Sequence, residues 1–251
     1  MGWTIQALHV GTLVDFPRAA LTYHRGFGEV HDVAMIMFLI TGGPHPVIVD
    51  TGTGDEETTR RLHGYTLERT PAQHPLAALE AAGVDPADVG TVINTHLHWD
   101  HSSNNHVFPN ARIVVQKAEL AYAVDPLEPN LAAFERQPGV TPAWVEALGR
   151  TTTVEGDVEI LPGISVVHLP GHTPGSQGVL VDGASGQRHL LAGDCVDLHA
   201  NWQGDAKLSR IPSGSFTDLA AYMESFRKIE RLGVNVIPSH DVEVVKQGTF
   251  A

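Results

Sequence analysis

The chain has 251 residues, 42% of them hydrophobic, and a formal charge of −13. That length and apolar content suffice to bury a substantial core and leave no case for disorder. The acidic balance, with no basic run longer than Arg60-Arg61, argues against a protein that grips nucleic-acid phosphates. The single cysteine, Cys195, rules out an intrachain disulfide and fits a reducing compartment.

In chain order, the opening MGWTIQALHVGTLVDF lacks a basic start followed by an unbroken apolar block, so no secretory signal is expected. VAMIMFLI (33–40) is too short to span a bilayer, and a cytoplasmic protein without membrane contact is the expectation. VAMIMFLITGG and HPVIVDTGTG read as two apolar strands joined by a Gly-Gly-Pro turn, the second ending at Asp50-Thr51-Gly52. HPLAALEAAG has helical spacing and a glycine stop at Gly83. A short strand from Thr91 to Asn94 then runs into NTHLHWDH, ARIVVQ reads as a further strand, and KAELAYAV as the start of a helix.

Between Leu127 and Arg150, Pro129, Pro138 and Pro142 interrupt short helical pieces at LAAFERQ and AWVEALG. Such an irregular insertion serves either as a lid over a site or as a packing arm. DVEIL, ISVVHL, QGVLVD and RHLLAGD follow as strands separated by the turns PG, PGHTPGS and DGASGQ. SFTDLAAYMESFRKIERLG carries a capping signature from Ser215 to Asp218, and Leu219, Tyr222, Met223, Phe226 and Ile229 are spaced for one helix face. The strand VNVIP leads to Ser239-His240-Asp241. With no linker, repeat or low-complexity segment, residues 1–251 read as one domain whose sheet-on-sheet core is covered by helices.

The stretch from His96 to His101 packs three histidines and Asp100 into six residues. A stable core has no use for this, because every buried imidazole needs a hydrogen-bond partner. Imidazole nitrogen and carboxylate oxygen together suit Zn²⁺, with Mn²⁺ and Fe²⁺ also accommodated. His172, Asp194 and His240 each follow an apolar strand as His96 does, and the ends of neighbouring strands can converge. Cys195 reads as a small buried residue behind Asp194, and Trp99 as a packing residue that holds the loop.

This order of motifs, H-x-H-x-D-H at His96 to His101 and then His172, Asp194 and His240, resembles the metallo-β-lactamase fold superfamily of metallohydrolases. VIVDTG is similar to its first motif, with Asp50 supporting the ligand loop, and the likeness runs from about Met35 to Asp241. The resemblance implies an α+β fold, a four-layer αββα sandwich with a dinuclear metal centre along one edge of the two sheets. His96, His98 and His172 would hold one cation, Asp100, His101 and His240 the other, and Asp194 would bridge them. Two zinc ions per chain are the implied cofactors. Such a pair shares a hydroxide that attacks a carbonyl carbon, with Asp100 relaying a proton to the leaving group.

The length, the ending PSHDVEVVKQGTF and NTHLHWDHSSNNHVFPNARIVVQKAEL look most like the lactonase branch, which includes N-acyl homoserine lactonases and 4-pyridoxolactonase. One departure is Asp197, which stands where that branch carries a tyrosine thought to assist at the substrate carbonyl or leaving oxygen. Asp197 therefore joins Asp100 as a candidate catalytic residue, and a different lactone, cyclic amide or ester stays open. The alternatives are a thioesterase, a phosphodiesterase, or an iron enzyme similar to the persulfide dioxygenases. Tyr23, His24, Phe27, Phe134 and His199 are candidates for lining the pocket of a small-molecule substrate. Several of the loop residues could equally serve a homodimer contact.

Overall fold

The computed structural model describes residues 2–251. Its strands are β1 (Thr4–Pro17), β2 (Val30–Thr41), β3 (Val47–Val49), β4 (Thr66–Glu68), β5 (Thr91–Ile93), β6 (Arg112–Gln116), β7 (Thr151–Val154), β8 (Val158–Leu161), β9 (Ile164–His168), β10 (Gln177–Asp182), β11 (Arg188–Leu191), β12 (Asn235–Ile237) and β13 (Thr249–Phe250). One sheet runs β13-β1-β2-β3-β5-β6-β7 with β4 paired to β1, and the other runs β12-β11-β10-β9-β8.

The apolar run 33–40 is continuous because β2 is covered on both faces. Its alternate residues Ala34, Ile36, Phe38 and Ile40 face the second sheet, meeting Ile164, Val166, Val179, Val181, Leu191 and Ile237. The intervening Val33, Met35, Met37 and Leu39 face outward, toward Ala78 and Leu79 of the helix Pro75–Ala81. On the far side, Val167, Leu180 and Leu190 of the second sheet pack against Tyr222, Phe226 and Ile229 of the helix Leu219–Leu232. The layers are therefore helix, sheet, sheet, helix, and the expected α+β sandwich is present.

Some local expectations change. The helix Leu219–Leu232 is capped by Asp218, whose side chain accepts from Ala221 N, so the Ser215–Asp218 signature lies just ahead of it. LAAFERQ forms turns, and AWVEALG a 3₁₀ helix, Ala143–Arg150. The insertion around them is a packed arm: Phe134 and Trp144 are buried with Leu97 and Val115. FPRAALTYHRGFGEV holds the end of β1 and the short helix Arg18–Leu21.

Topology sets where the chemistry lies. Strands β3, β5 and β6 run parallel, as do β11 and β12, so the residues after β3, β5, β11 and β12 emerge at the carboxyl ends of their strands. Those residues are Asp50, His96 to His101, Asp194 and His240. Among the described residues no helix is long and apolar enough to cross a membrane.

Candidate metal centre

All seven proposed ligands meet at this edge. Ligand atoms of His96, His98 and His172 lie within 4.8 Å of one another, as do those of Asp100, His101 and His240. A third group, His96, His101 and Asp194, joins the two. Asp194 turns Oδ1 toward His101 Nε2 (3.2 Å) and His240 Nε2 (3.1 Å), and Oδ2 toward His172 Nε2 (3.5 Å) and His96 Nε2 (3.8 Å). One carboxylate thus faces both groups, one oxygen to each.

The other ring nitrogen is engaged in four of the five histidines. Nδ1 of His101 donates to Asp50 Oδ2 (2.8 Å), that of His172 to Ser215 O (2.8 Å), and that of His240 to Ala34 O (3.0 Å). His96 Nδ1 meets Thr95 Oγ1 (3.1 Å), whose own hydrogen goes to Asp50 Oδ2 (2.7 Å). These partners fix each tautomer with the Nε2 lone pair toward the centre, as ligating histidines require. Asp50 itself sits at φ 56°, a left-handed backbone costing about 1–2 kcal/mol, and so aims its carboxylate at Thr95 and His101.

The fit to a cation rests on atoms that nothing else satisfies. Among the described residues, Nε2 of His96 and of His101 is buried without a hydrogen-bond partner, each a cost of about 1–3 kcal/mol. His98 Nδ1 and His172 Nε2 face each other at 3.1 Å, a separation at which two nitrogens share either a proton or a cation. Burial holds His96, His98 and His172 below their ordinary range, so their lone pairs are free. Burial opposes charge on His101 and His240 too, but Asp194 raises both, His240 to about 9. Burial would raise Asp194 in turn, yet those two imidazoles hold it well below the usual carboxylate range. The donor set is nitrogen-rich, with Asp194 between the two groups and Asp100 in one of them, which suits Zn²⁺.

A model of the metallo-beta-lactamase superfamily matches residues 37–240. The chain belongs to that superfamily. Among similar members, an N-acyl homoserine lactonase of Bacillus sp is 26% identical, with 86% of this chain and 84% of that one covered. The N-acyl homoserine lactonase AttM of Rhizobium johnstonii is 30% identical, with 87% and 86% covered. In structure the chain resembles a mutant of B. thuringiensis AiiA with N-decanoyl-L-homoserine bound at its active site (TM-score 0.80, 21% identity, 98% and 96% covered). It also resembles AidC, a dizinc quorum-quenching lactonase in complex with a product (TM-score 0.70, 17% identity, 95% and 87% covered).

In this member of the superfamily a cavity of about 190 Å³ opens over the cluster. Its floor includes His98, Asp100, His172, Asp194 and His240, and its apolar wall includes Leu13, Phe16, Leu21, Val33, Tyr65 and Trp99. Asp197 and Ser213 form a polar corner. Asp197 is buried with Oδ1 unpartnered among the described residues, and burial and Asp194 push its carboxyl well above the usual range.

The five pocket residues expected from sequence are not in this lining. Phe134 is wholly buried and supports His98 from below, with ring centroids 4.6 Å apart. Tyr23 packs on His24 and Phe216, His24 on Phe27, and Phe27 is exposed. His199 pairs with Asp241 at 2.9 Å instead. Trp99 does pack as expected, stacked on His63 at 3.9 Å, while also contributing to the wall. Cys195 is buried and its thiol is pushed far up.

Four contributors were not expected from the sequence. Ser239 Oγ donates to Asp194 Oδ1 (2.8 Å), and Tyr222 OH donates to Asp194 O. Tyr65, its phenol kept protonated by burial and by Asp100, lines the cavity. Glu119 is wholly buried; desolvation pushes its carboxyl up to about 7 despite three donors. A lone acidic residue inside the apolar KAELAYAV was the one available clue.

Proposed function

We propose that the protein is a metal-dependent hydrolase that opens a lactone ring, using two divalent cations, zinc first among them. His96, His98 and His172 would hold one cation, Asp100, His101 and His240 the other, and Asp194 both. The observation that carries this reading is the Asp194 carboxylate, set between two ligand groups at the floor of a cavity. The named activity of the relatives, aligned over most of both chains, supports a lactone as the substrate class.

When bound, the cation pair polarises the substrate carbonyl and lowers the pKa of water toward neutrality. The chain's own residues do the rest. Asp100 reaches the cavity from between His101 Nε2 (3.7 Å) and His240 Nε2 (3.9 Å), placed to take a proton and hand it to the leaving oxygen. Asp197 offers its carboxyl from the polar corner, where the substrate's ring or leaving oxygen would lie. The apolar wall excludes water and takes up the hydrocarbon part of the substrate.

Metal analysis with a panel of lactones, cyclic amides, thioesters and phosphodiesters tests the reading. Two divalent cations per chain, with a lactone as the fastest substrate in air or under nitrogen, is the expected result. One iron per chain with a requirement for dioxygen would overturn it. Within the same panel, Asp197→Asn is expected to lower kcat by about 10²-fold with both cations retained, the scale of a lost proton-transfer partner. Unchanged kinetics would remove Asp197 from the mechanism.

A further inference from the structure

Glu119 stands in the first turn of the helix Lys117–Val124, outside the ligand set, yet it touches both loops that deliver one cation's ligands. Its Oε1 accepts from Leu97 N (2.9 Å), between His96 and His98. Its Oε2 accepts from Thr173 Oγ1 (2.5 Å), beside His172, and from Gly175 N (3.2 Å). The approach is so close that a Cβ on Gly175 would lie 2.1 Å from Glu119 N. The loops are 74 residues apart at His98 and His172, whose facing nitrogens are 3.1 Å apart. Gln177 also ties them, through Asn94 O and Thr95 O, but at the strand ends behind the ligands.

Asp50, another buried carboxylate outside the ligand set, works elsewhere. Asp50 bonds Thr95 and the His101 ring, and has no bond to the 172–175 loop. Asp50 thus serves His101 and, through Thr95, His96, whereas the tie between the His98 and His172 loops is Glu119's.

We infer that Glu119 is a positioning residue for one cation site only: it fixes the His98 and His172 loops against each other and so sets the affinity of the His96/His98/His172 group, leaving the Asp100/His101/His240 group unaffected. This rests on the two-cation reading above. Neutralising or removing the carboxylate leaves up to three buried donors without their acceptor and frees the loops to part. Loss of such an outer partner lowers metal affinity by about 10–100-fold.

The test is Co²⁺ titration of the metal-free protein, followed by its visible absorption, with His172→Ala and His240→Ala as references for the loss of each site. Wild type is expected to fill two steps. Glu119→Gln and Thr173→Val are expected to weaken the step that His172→Ala removes, about 10–100-fold for Glu119→Gln and less for Thr173→Val. The step removed by His240→Ala stays in place. Thr173→Val deletes only one hydroxyl and keeps the experiment available if Glu119→Gln folds poorly. Equal weakening of both steps, or a lower melting temperature of the metal-free protein with both affinities unchanged, would mean that Glu119 only holds the fold together. Wild type taking up fewer than two ions would instead bring down the two-cation reading, and this inference with it.

Discussion

Asp194→Ala is expected to strip both cations from the protein and abolish turnover in one step. In the proposed assignment every other ligand serves one cation, whereas Asp194 Oδ1 faces His101 and His240 and Oδ2 faces His172 and His96. Removing it takes away the one negative charge shared by both groups and leaves the Ser239 hydroxyl without its acceptor. Deleting one partner of a buried charged set costs about 3–5 kcal/mol, or two to four orders of magnitude in affinity. Elemental analysis after dialysis, beside turnover of the best lactone, checks the point. Two retained cations would show that Asp194 bridges nothing. Asp194→Asn, of the same shape but uncharged, is expected to lose cations as well, which separates charge from packing.

The candidate ligand cluster was legible because ligand chemistry is local: histidines and aspartates at strand ends announce themselves by residue type, and the fold brings these side chains together. The sandwich was legible from continuous apolar strands such as β2, which only two-sided burial explains. β1 was harder, because its buried residues Ile5, Ala7, Leu8, Val10 and Leu13 serve two different core faces and Gly11 shifts its pairing with β2. The cavity wall could not be read at all. Leu13, Leu21 and Val33 are ordinary apolar residues, and they become a wall only because Ala20 O and Leu21 O receive bonds from Ser213 and Asn201 across the fold. The aromatic and imidazole residues chosen for the pocket failed for the converse reason. Their chemistry suits a pocket, but Phe134 lies beneath a ligand and His199 is engaged by Asp241. Glu119 escaped because an acid in a helix is usually a solvated one, and only tertiary packing buried it.

Gly171→Ala is expected to damage stability and the proposed metal centre together, although glycine offers no side chain to either. PGHTPGS read as a pair of turns around His172; the structure shows His172 held where its loop docks on the helix Leu219–Leu232. Gly171 has φ 141°, and a Cβ there would lie 2.4 Å from Tyr222 Cα and 2.7 Å from Tyr222 N. Backbone cannot swing aside as a side-chain tip can. The carbonyl of Gly171 also accepts from Thr217 N (2.8 Å) and Asp218 N (3.1 Å), so the loop and the helix start move together or not at all. Overpacking costs about 1–3 kcal/mol and the disfavoured backbone about 1–3 more. At roughly 2–4 °C per kcal/mol for a chain of this size, the melting temperature should fall by on the order of 10 °C. The same displacement carries His172 away from His98 and weakens the bond from His172 Nδ1 to Ser215 O, so the His96/His98/His172 group should bind its cation more weakly. Thermal melts of the metal-free protein isolate the packing cost, and melts with added Zn²⁺ report the loss at the site. A melting temperature within about 2 °C of wild type, below what 1 kcal/mol would produce, would show that the loop yields and that the close approach is not what places His172.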